Sequence, residues 1–342
     1  MSIHDVAREA GVSVATVSRV FNLPDKVTAS TREHVLRVAS RLGYVANNSA
    51  RTLRTQRSHV LGVVLPTLAN PVFAECLEGI ANGAAAGGYA IQPLMTHYQL
   101  ESETLAVNQL LAANVDAMVL VVSNPADSPG LQRLIQNGLP YVLAYNRAPD
   151  HPCVSVDSEQ AVVELIARLN ALGHQRIAMV TGKLQASDRA QQRCSGYRIG
   201  MQAQGNGYLE LLEVPFIETA LDQINPLLLS AERPTALICS NDLLAIRCLR
   251  AAHLAGLAVP QQLTVVGFDG IALGQDLTPV LSTITQDNAA IGQRCVELLV
   301  KSLQTSQALS PHDSLTLAHG FRPGESCAAP SDPVQASNGL AD

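Results

Sequence analysis

Apolar residues recur at helical spacing in three short stretches at the start of the chain. Gly11 follows the first stretch and Gly43 follows the third, which is where a helix would end. The pattern therefore predicts three short helices around one small core. Its apolar stripes are Val6, Ala7 and Ala10, then Val17 and Val20, then Val35, Val38, Ala39 and Leu42.

Hydroxyl residues mark where these helices begin. Ser2 lies three residues before Asp5, and Ser13 precedes the second stripe, so each serine is placed to cap a helix. The segment 30–33 has the Ser-x-x-Glu spacing of a capping box, which predicts the start of the third helix there.

Beyond residue 59, short apolar runs alternate with helical patterns. Such runs are typical of buried parallel strands, and the alternation predicts an α/β fold with two doubly wound lobes. Ligands of such sheets bind at the carboxyl ends of the strands, so the cleft between the lobes is the expected site. The predicted strands are 60–65, 117–122, 141–144, 176–181, 236–239 and 263–268, and the predicted helices lie near 71–87, 102–113, 128–137, 159–172, 188–204, 221–231 and 241–255.

Composition agrees with a globular chain. Of 342 residues, 47% are hydrophobic and 15% are charged, and the length beyond the first helices suffices for two ordinary domains. We see no charged-then-apolar leader and no apolar run of membrane-spanning length, which predicts a cytoplasmic protein without a membrane partner. The seven cysteines include no CxxC pair, so we expect no disulfide and no metal site. No motif indicates a cofactor.

Charge is distributed unevenly along the chain. The first 57 residues contain nine Lys or Arg and four Asp or Glu, whereas the remaining 285 contain 14 and 25. A basic head on an acidic body favours a head that binds a polyanion such as DNA.

The second predicted helix would present its start to DNA. In a helix-turn-helix, this end enters the major groove, where Val14, Ala15 and Thr16 can touch base edges and thymine methyl groups. Arg19 can bond a guanine edge or a phosphate. A three-helix bundle that never meets DNA would show the same spacing, with its basic residues merely solvated.

Two segments of the head resemble the LacI/GalR family of bacterial repressors. The run from Asp5 to Asn22 matches the family signature almost position for position, and Gly43-Tyr44 with Asn47, Ala50, Leu53 and Arg54 resembles its hinge. The departure is Val45-Ala46, where the family has a proline before the asparagine. The resemblance implies that Leu53 wedges into the minor groove, although Leu53 could also be an ordinary linker residue. The DNA-contacting residues that we predict are Val14, Ala15, Thr16, Ser18, Arg19, Asn22, Leu53 and Arg54.

The body resembles the same family over about residues 59–326. Its motifs are Leu65 to Glu75, Leu172 to Ala178, Asn241 to Ala245 and Val265 to Asp269. The resemblance implies the fold of periplasmic sugar-binding proteins, with crossings between lobes near 157–160, 284–288 and 317–321. The predicted domains are a helix-turn-helix head at 1–46, a hinge helix and linker at 47–58, a core at 59–326 (one lobe at 59–157 and 288–316, the other at 158–284 and 317–326) and a flexible tail at 327–342.

A set of cleft residues follows from the matching positions. The resemblance implies Asn70, Phe73, Arg193, Asn241 and Asp269 as effector contacts. A sugar ring could also pack on Phe216, and neighbouring strand ends add Tyr145 and Gln286. Structural roles remain open, since Asn241 can cap a helix and Asp269 can bond backbone in a turn.

The effector is predicted to be a small sugar or sugar acid. The loop at 70–75 with Thr96-His97-Tyr98 resembles the gluconate-responsive branch of the family, and an acid would suit arginines in the cleft, including Arg189 and Arg147. Gluconate is therefore the first candidate.

We predict a DNA-binding transcriptional regulator, a repressor that acts as a homodimer on a palindromic operator and responds to this effector. The tail at 327–342 lacks a leucine heptad that could join dimers into tetramers. The alternative is a solute-binding protein or sensor whose head does not bind DNA. We predict no enzyme activity, because the first strand is not followed by the glycine-rich turn of a dehydrogenase and no nucleophile elbow occurs.

Overall fold

A computed structural model describes residues 1–44, 57–205, 210–216 and 219–330. The chain divides into two compact units, Met1–His59 and Val60–Asp342. The predicted hinge residues Leu53 and Arg54 lie outside the described residues, as does the end of the predicted tail.

Residues 1–44 of the first unit form three α-helices, as predicted. They are α1 (Ile3–Glu9), α2 (Val14–Asn22) and α3 (Ala29–Arg41). Each contributes a fully buried valine to one core, namely Val6, Val17 and Val35. The helical spacing of apolar residues therefore determined which face of each helix is buried.

The caps of α1 and α2 are those predicted, but the predicted cap of α3 is wrong. The Ser2 hydroxyl accepts a hydrogen bond from the Asp5 amide at 3.4 Å, and the Ser13 hydroxyl accepts one from the Thr16 amide at 3.1 Å. Helix α3 is instead capped by Thr28, whose hydroxyl accepts from the amide of Thr31 at 3.4 Å. Because Thr28 lies two residues before Ser30, the helix begins earlier and the segment 30–33 lies inside it.

The second unit alternates strands and helices. Its strands are β1 (Val60–Leu65), β2 (Ala90–Met95), β3 (Ala117–Leu120), β4 (Tyr141–Ala144), β5 (Cys153–Val156), β6 (Ile177–Gly182), β7 (Glu210–Val214), β8 (Ala236–Cys239), β9 (Thr264–Asp269), β10 (Ser282–Gln286), β11 (Leu315–Leu317) and β12 (His319–Arg322). Its helices are α4 (Pro71–Ala86), α5 (Leu100–Ala112), α6 (Pro129–Asn137), α7 (Ser158–Ala171), α8 (Asp188–Ala203), α9 (Leu221–Leu229), α10 (Asp242–Leu254) and α11 (Asn288–Thr305).

These strands form two sheets. The first has the order β11-β5-β4-β3-β1-β2, and the second has the order β12-β10-β9-β8-β6-β7. All pairings are parallel except that of β10 with β12. The predicted class, two doubly wound α/β lobes, is confirmed. The chain passes between the sheets after β5, after β10 and between β11 and β12.

The six strands predicted from the sequence are three of the four interior strands of each sheet. The missed strands are β5, β10 and the four at the edges, β2, β7, β11 and β12. A central parallel strand is covered on both faces and is therefore continuously apolar, as in β1. An edge strand is only partly covered and keeps polar residues and even a proline, as in Ala90–Met95.

Helices α4 and α11 cross at very short range beside the first sheet. A Cβ atom added to Gly79 would lie 2.0 Å from the carbonyl oxygen of Ala289, and one added to Gly292 would lie 2.2 Å from that of Cys76. One turn after Gly79, a Cβ on Gly83 would lie 3.2 Å from the Val296 Cβ. Glycine is therefore required at the crossing itself and much less so one turn away.

We expect Gly79→Ala to lower the free energy of unfolding by about 2 kcal/mol, because the helices must separate. Gly83→Ala is the matched control, and the gain in helix propensity of up to about 1 kcal/mol should leave it neutral or more stable. Urea unfolding of both variants measures the difference. Equal stabilities would show that α4 can shift at no cost.

Among the described residues, no helix combines the length and the apolar character that crossing a membrane requires.

Candidate functional site

A small chamber lies between the two sheets, at the carboxyl ends of their strands. Parallel strands bring the loops that follow them to one edge, which explains why distant segments meet here. The structure brings together all eight residues that are predicted as effector contacts. The chamber is lined by Asn70, Val72, Phe73, Tyr98, Tyr145, Ser187, Arg189, Ala190, Arg193, Phe216, Ser240, Asn241, Asp269 and Gln286.

The chamber has a volume of about 30 Å³. Small-molecule pockets usually measure at least about 300 Å³. A sugar-sized ligand therefore requires the walls of this chamber to move apart.

An ion pair between Arg193 and Asp269 occupies the centre of the site. One guanidinium nitrogen lies 3.3 Å from Asp269 Oδ1, and the other donates to the carbonyl oxygen of Ser240. The guanidinium also lies 3.5 Å from the ring centroid of Phe268, as in a cation–π contact. Both charged side chains are almost fully buried, so the pair is shielded from solvent.

Asp269 is held in an unusual position at the end of β9. Its φ of 116° lies in the left-handed region, and it is followed by Gly270 at φ 76°. Gln286 Nε2 donates to Asp269 Oδ1 at 3.0 Å, and the side chain of Asn70 also bonds this carboxylate. Burial raises the pKa of Asp269 to about 6, although the nearby Arg193 charge opposes the shift.

Two buried polar atoms in the chamber have no partner among the described residues. They are Nε of Arg193, a donor, and Oε1 of Gln286, an acceptor. Buried polar groups are rarely left unpaired, and a hydroxyl group can both accept and donate. The chamber therefore offers an arrangement that suits a polyhydroxylated ligand.

The two asparagines of the chamber also cap helices. Asn70 Oδ1 accepts from the Val72 amide at 3.4 Å, and Asn241 Oδ1 accepts from the Leu244 amide at 2.8 Å. The capping role considered for Asn241 is therefore real, and the cap fixes the position of its side chain at the chamber wall.

Aromatic rings form the apolar wall. Phe73 and Tyr145 meet edge to face, with centroids 5.8 Å apart, and the Tyr145 hydroxyl donates to the Val72 carbonyl at 3.0 Å. Tyr98 and Phe216 are stacked, with centroids 4.6 Å apart and ring planes at 10°. The hydroxyl of Tyr145 is thus already bonded within the protein.

The sequence did not assign five lining residues to the site, namely Val72, Tyr98, Ser187, Ala190 and Ser240. Ala190 precedes Arg193 by three residues on α8, so helical spacing from Arg193 could have indicated it, whereas Ser187 caps this helix and lies outside that spacing. Ser240 directly precedes Asn241, and its position depends on the path of the loop after β8.

Of the two further arginines that we expected in the cleft, only Arg189 lines the chamber. It donates to the Val122 carbonyl at 3.0 Å and to Asp188 at 2.9 Å. Asp188 also accepts from Asn146 at 2.7 Å, so the start of α8 is bonded to loops of the first sheet. The expectation for Arg147 was wrong, because it pairs with Asp157 at 2.6 Å beside a different cavity.

A second buried carboxylate, Asp242, supports the loop that follows Asp269. It accepts from the Ile271 amide at 2.8 Å and from the Thr283 hydroxyl at 2.6 Å. A Cβ on Gly267 would lie 2.0 Å from Asp242 Oδ1, so a glycine is needed there. Burial, together with the negative charge of Asp269, raises the pKa of Asp242 to about 7.

This raised pKa predicts a pH dependence of stability. The unfolded chain ionises Asp242 near pH 4, whereas the folded chain keeps the proton to about pH 7, so the free energy of unfolding falls as pH rises across this interval. Asp242→Asn preserves the shape without the charge. Between pH 5 and 8 we expect the free energy of unfolding, measured with urea, to fall by roughly 2 kcal/mol more for the wild type than for this variant.

The exposed carboxylate Asp222 provides the control, since Asp222→Asn should leave the pH profile of the wild type intact. Identical pH profiles for the wild type and Asp242→Asn would show that Asp242 is ionised throughout the interval.

In the first unit, Arg19 is exposed on α2. Three other arginines of this unit form ion pairs, Arg8 with Asp5, Arg37 with Glu33 and Arg41 with Glu9. Among residues 1–44 no carboxylate pairs with Arg19, so its positive charge is not compensated there.

The other predicted DNA-contacting residues of α2 differ in how free they are. Ala15 is exposed, whereas Val14 is partly buried against the head core. The Thr16 hydroxyl lies 2.9 Å from that of Ser13, and Asn22 Nδ2 donates to the Ser18 carbonyl at 2.9 Å. Arg19 and Ala15 are therefore the most available for an external contact.

Comparisons with known proteins cover both units. Residues 2–47 match the family described as bacterial regulatory proteins, lacI family. Residues 166–327 match the family described as periplasmic binding protein-like domain.

Curated relatives align with most of the chain. Catabolite control protein A of Priestia megaterium is 31% identical over 88% of this chain and 92% of its own length. The HTH-type transcriptional repressor CytR of Escherichia coli K12 is 31% identical over 89% of this chain and 90% of its own length.

Solved structures extend the similarity to the three-dimensional fold. The lac repressor dimer bound to operator and the anti-inducer ONPF has a TM-score of 0.84 and is 28% identical, with 95% of this chain and 98% of that chain covered. The similarity spans both the helical head and the two-sheet body. This chain therefore belongs to the lacI family of bacterial regulatory proteins.

Proposed function

We propose that this protein is a transcriptional repressor whose operator affinity is changed by a small sugar or sugar acid in the chamber between the sheets. Two copies would each read one half of a palindromic operator through α2, with the predicted hinge residues Leu53 and Arg54 in the minor groove. Since its proposed partner is operator DNA, we expect the protein to act in the cytoplasm. The observation that carries the ligand proposal is the unpartnered donor and acceptor on Arg193 and Gln286.

Each proposed contact follows from the chemistry of the chamber. Arg193 would donate to ligand oxygens, Asp269 would accept from hydroxyls, and Asn70, Asn241 and Gln286 could do both. The C–H face of a sugar ring would pack on aromatic rings, which are those of Phe73, Tyr145 and Phe216.

Ligand binding would act on DNA through the spacing of the two sheets. A chamber of about 30 Å³ excludes a sugar, so a ligand must favour a more open arrangement. If ligand binding changes the affinity for the operator by some factor, then operator binding must change the affinity for the ligand by the same factor.

Fluorescence anisotropy tests the proposal, with a family-type palindrome containing a central CG step, a scrambled duplex as control and two salt concentrations. We expect salt-sensitive binding that prefers the palindrome and is altered by one compound of a sugar panel. No preference over scrambled DNA at either salt concentration would favour the alternative, a sensor whose head does not bind DNA.

Gluconate is the first compound to test, because its carboxylate could bind Arg193. Since Arg193 already pairs with Asp269, gluconate or another aldonate would have to share the guanidinium with the Asp269 carboxylate. Calorimetric titration distinguishes the classes, and heat with a neutral sugar but none with aldonates would exclude the acid.

A further inference from the structure

Two cavities between the sheets are separated by one pair of aromatic rings. Besides the inner chamber, an outer cavity of about 720 Å³ is lined by polar side chains that include His97, Asn124, Lys183 and Gln191. Tyr98 and Phe216 line both cavities. The ring pair therefore stands between the chamber and a space large enough for a sugar.

The two rings come from opposite sides of the cleft. Tyr98 lies between β2 and α5, in a turn where it and His97 have φ values of 59° and 53°. Phe216 follows β7 and rests on Gly182, where an added Cβ would lie 2.1 Å from its ring. The rings are nearly parallel and in contact, so together they block the passage between the outer cavity and the inner chamber.

The remaining walls of the chamber are held by stronger contacts. Asn70 and Asn241 cap helices, Asp269 is bonded to Arg193, and Tyr145 is bonded to backbone. The Tyr98 ring is held differently, by packing against the apolar core of the first sheet and by the stack with Phe216. Among the described residues its hydroxyl makes no hydrogen bond. A stacked pair is weaker than a buried ion pair or a capped helix, and both rings lie on loops. The ring pair is therefore the part of the wall that can open at the lowest cost.

We propose that Tyr98 and Phe216 form a gate through which a polyhydroxylated ligand with an apolar ring face passes from the outer cavity into the inner chamber. Tyr98 then closes on that face and becomes an effector contact that selects for ring-shaped ligands. This inference rests on the proposed function, because it takes the inner chamber to be the ligand site.

The gate can be tested without knowing the ligand, through the reactivity of introduced cysteines. Ala190 lines the inner chamber and Ala186 lines the outer cavity. The thiol of Ala190→Cys should react slowly with a small methanethiosulfonate reagent, and that of the matched Ala186→Cys should react fast. Adding Tyr98→Ala should raise the rate of the inner thiol by roughly tenfold, while Tyr98→Phe, which keeps the ring, should not.

Native cysteines report whether the variants fold. Six of the seven are buried, so a folded variant leaves them unreactive. If Tyr98→Ala unfolds the body, Phe216→Leu provides the second opening of the stack. The gate is refuted if Ala190→Cys reacts as fast as Ala186→Cys with both rings present, or if neither opening changes its rate.

Failure of the gate and failure of the proposed function can be told apart by measuring sugar and operator binding of the unmodified chain. Ligand and operator binding with a freely reactive inner thiol would overturn only the gate. An intact gate in a chain that binds no operator would overturn only the proposed function.

Discussion

Arg193→Leu is expected to lower the free energy of unfolding of the body by about 3 to 5 kcal/mol and to abolish ligand binding. The arginine is nearly fully buried, and its removal leaves the Asp269 carboxylate in the interior without its cation. Urea unfolding measures the loss of stability, and titration with the sugar panel measures the loss of binding.

The loss should depend on pH with a definite sign. Burial already raises the pKa of Asp269 to about 6, and loss of the cation would raise this pKa further. The variant can then relieve the unpaired charge by holding a proton. Arg193→Leu should therefore be less destabilising at pH 5 than at pH 8.

A double variant tests the cause. Asp269→Asn removes the charge that Arg193→Leu leaves unpaired, so the double variant should recover part of the lost stability. If the double variant is as unstable as the sum of the single variants predicts, the ion pair is not the reason for the loss.

Arg19→Ala is expected to weaken operator binding by about tenfold to a hundredfold for each half-site, which corresponds to roughly 1 to 3 kcal/mol. Arg19 is exposed on α2 and lacks a carboxylate partner among residues 1–44, so its guanidinium is free to meet DNA. Fluorescence anisotropy with the operator and with scrambled duplex provides both affinities.

Arg37→Ala is the matched control, because it removes the same charge from a residue that pairs with Glu33 on the exposed face of α3. Its effect on operator affinity should be small and independent of sequence. For Arg19→Ala, loss of preference for the operator indicates a base contact, whereas an equal loss on both duplexes with a lower salt slope indicates a phosphate contact. Equal effects of the two substitutions would refute a special role for Arg19.

Most of the secondary structure was predictable where burial determines the residue types. Helices of the head were apparent because one face of each packs on a common core, as with Val17 and Val20 of α2. Central strands were apparent because neighbours cover both faces, as with Val60–Leu65. Edge strands such as Glu210–Val214 were not, since solvent permits polar residues and erases the apolar run.

The candidate site was predictable only in part. Residues at the ends of recognisable motifs, such as Asn70, Asn241 and Asp269, could be assigned to one cleft because parallel strands direct these ends to one edge. For Tyr98 the sequence offers only a loop resemblance, and neither segment carries a signal for its stacking on Phe216.

The sequence by itself determined the family, the basic head, the α/β body and most of the polar residues at the chamber. These follow from local periodicity, charge and motifs, which act over a few residues at a time. Only the tertiary structure decided that Arg193 pairs with Asp269, that Arg147 lies outside the chamber and that two rings separate the chamber from a larger cavity. Such contacts join segments far apart in the chain, and their distances depend on how the two sheets meet rather than on any local pattern.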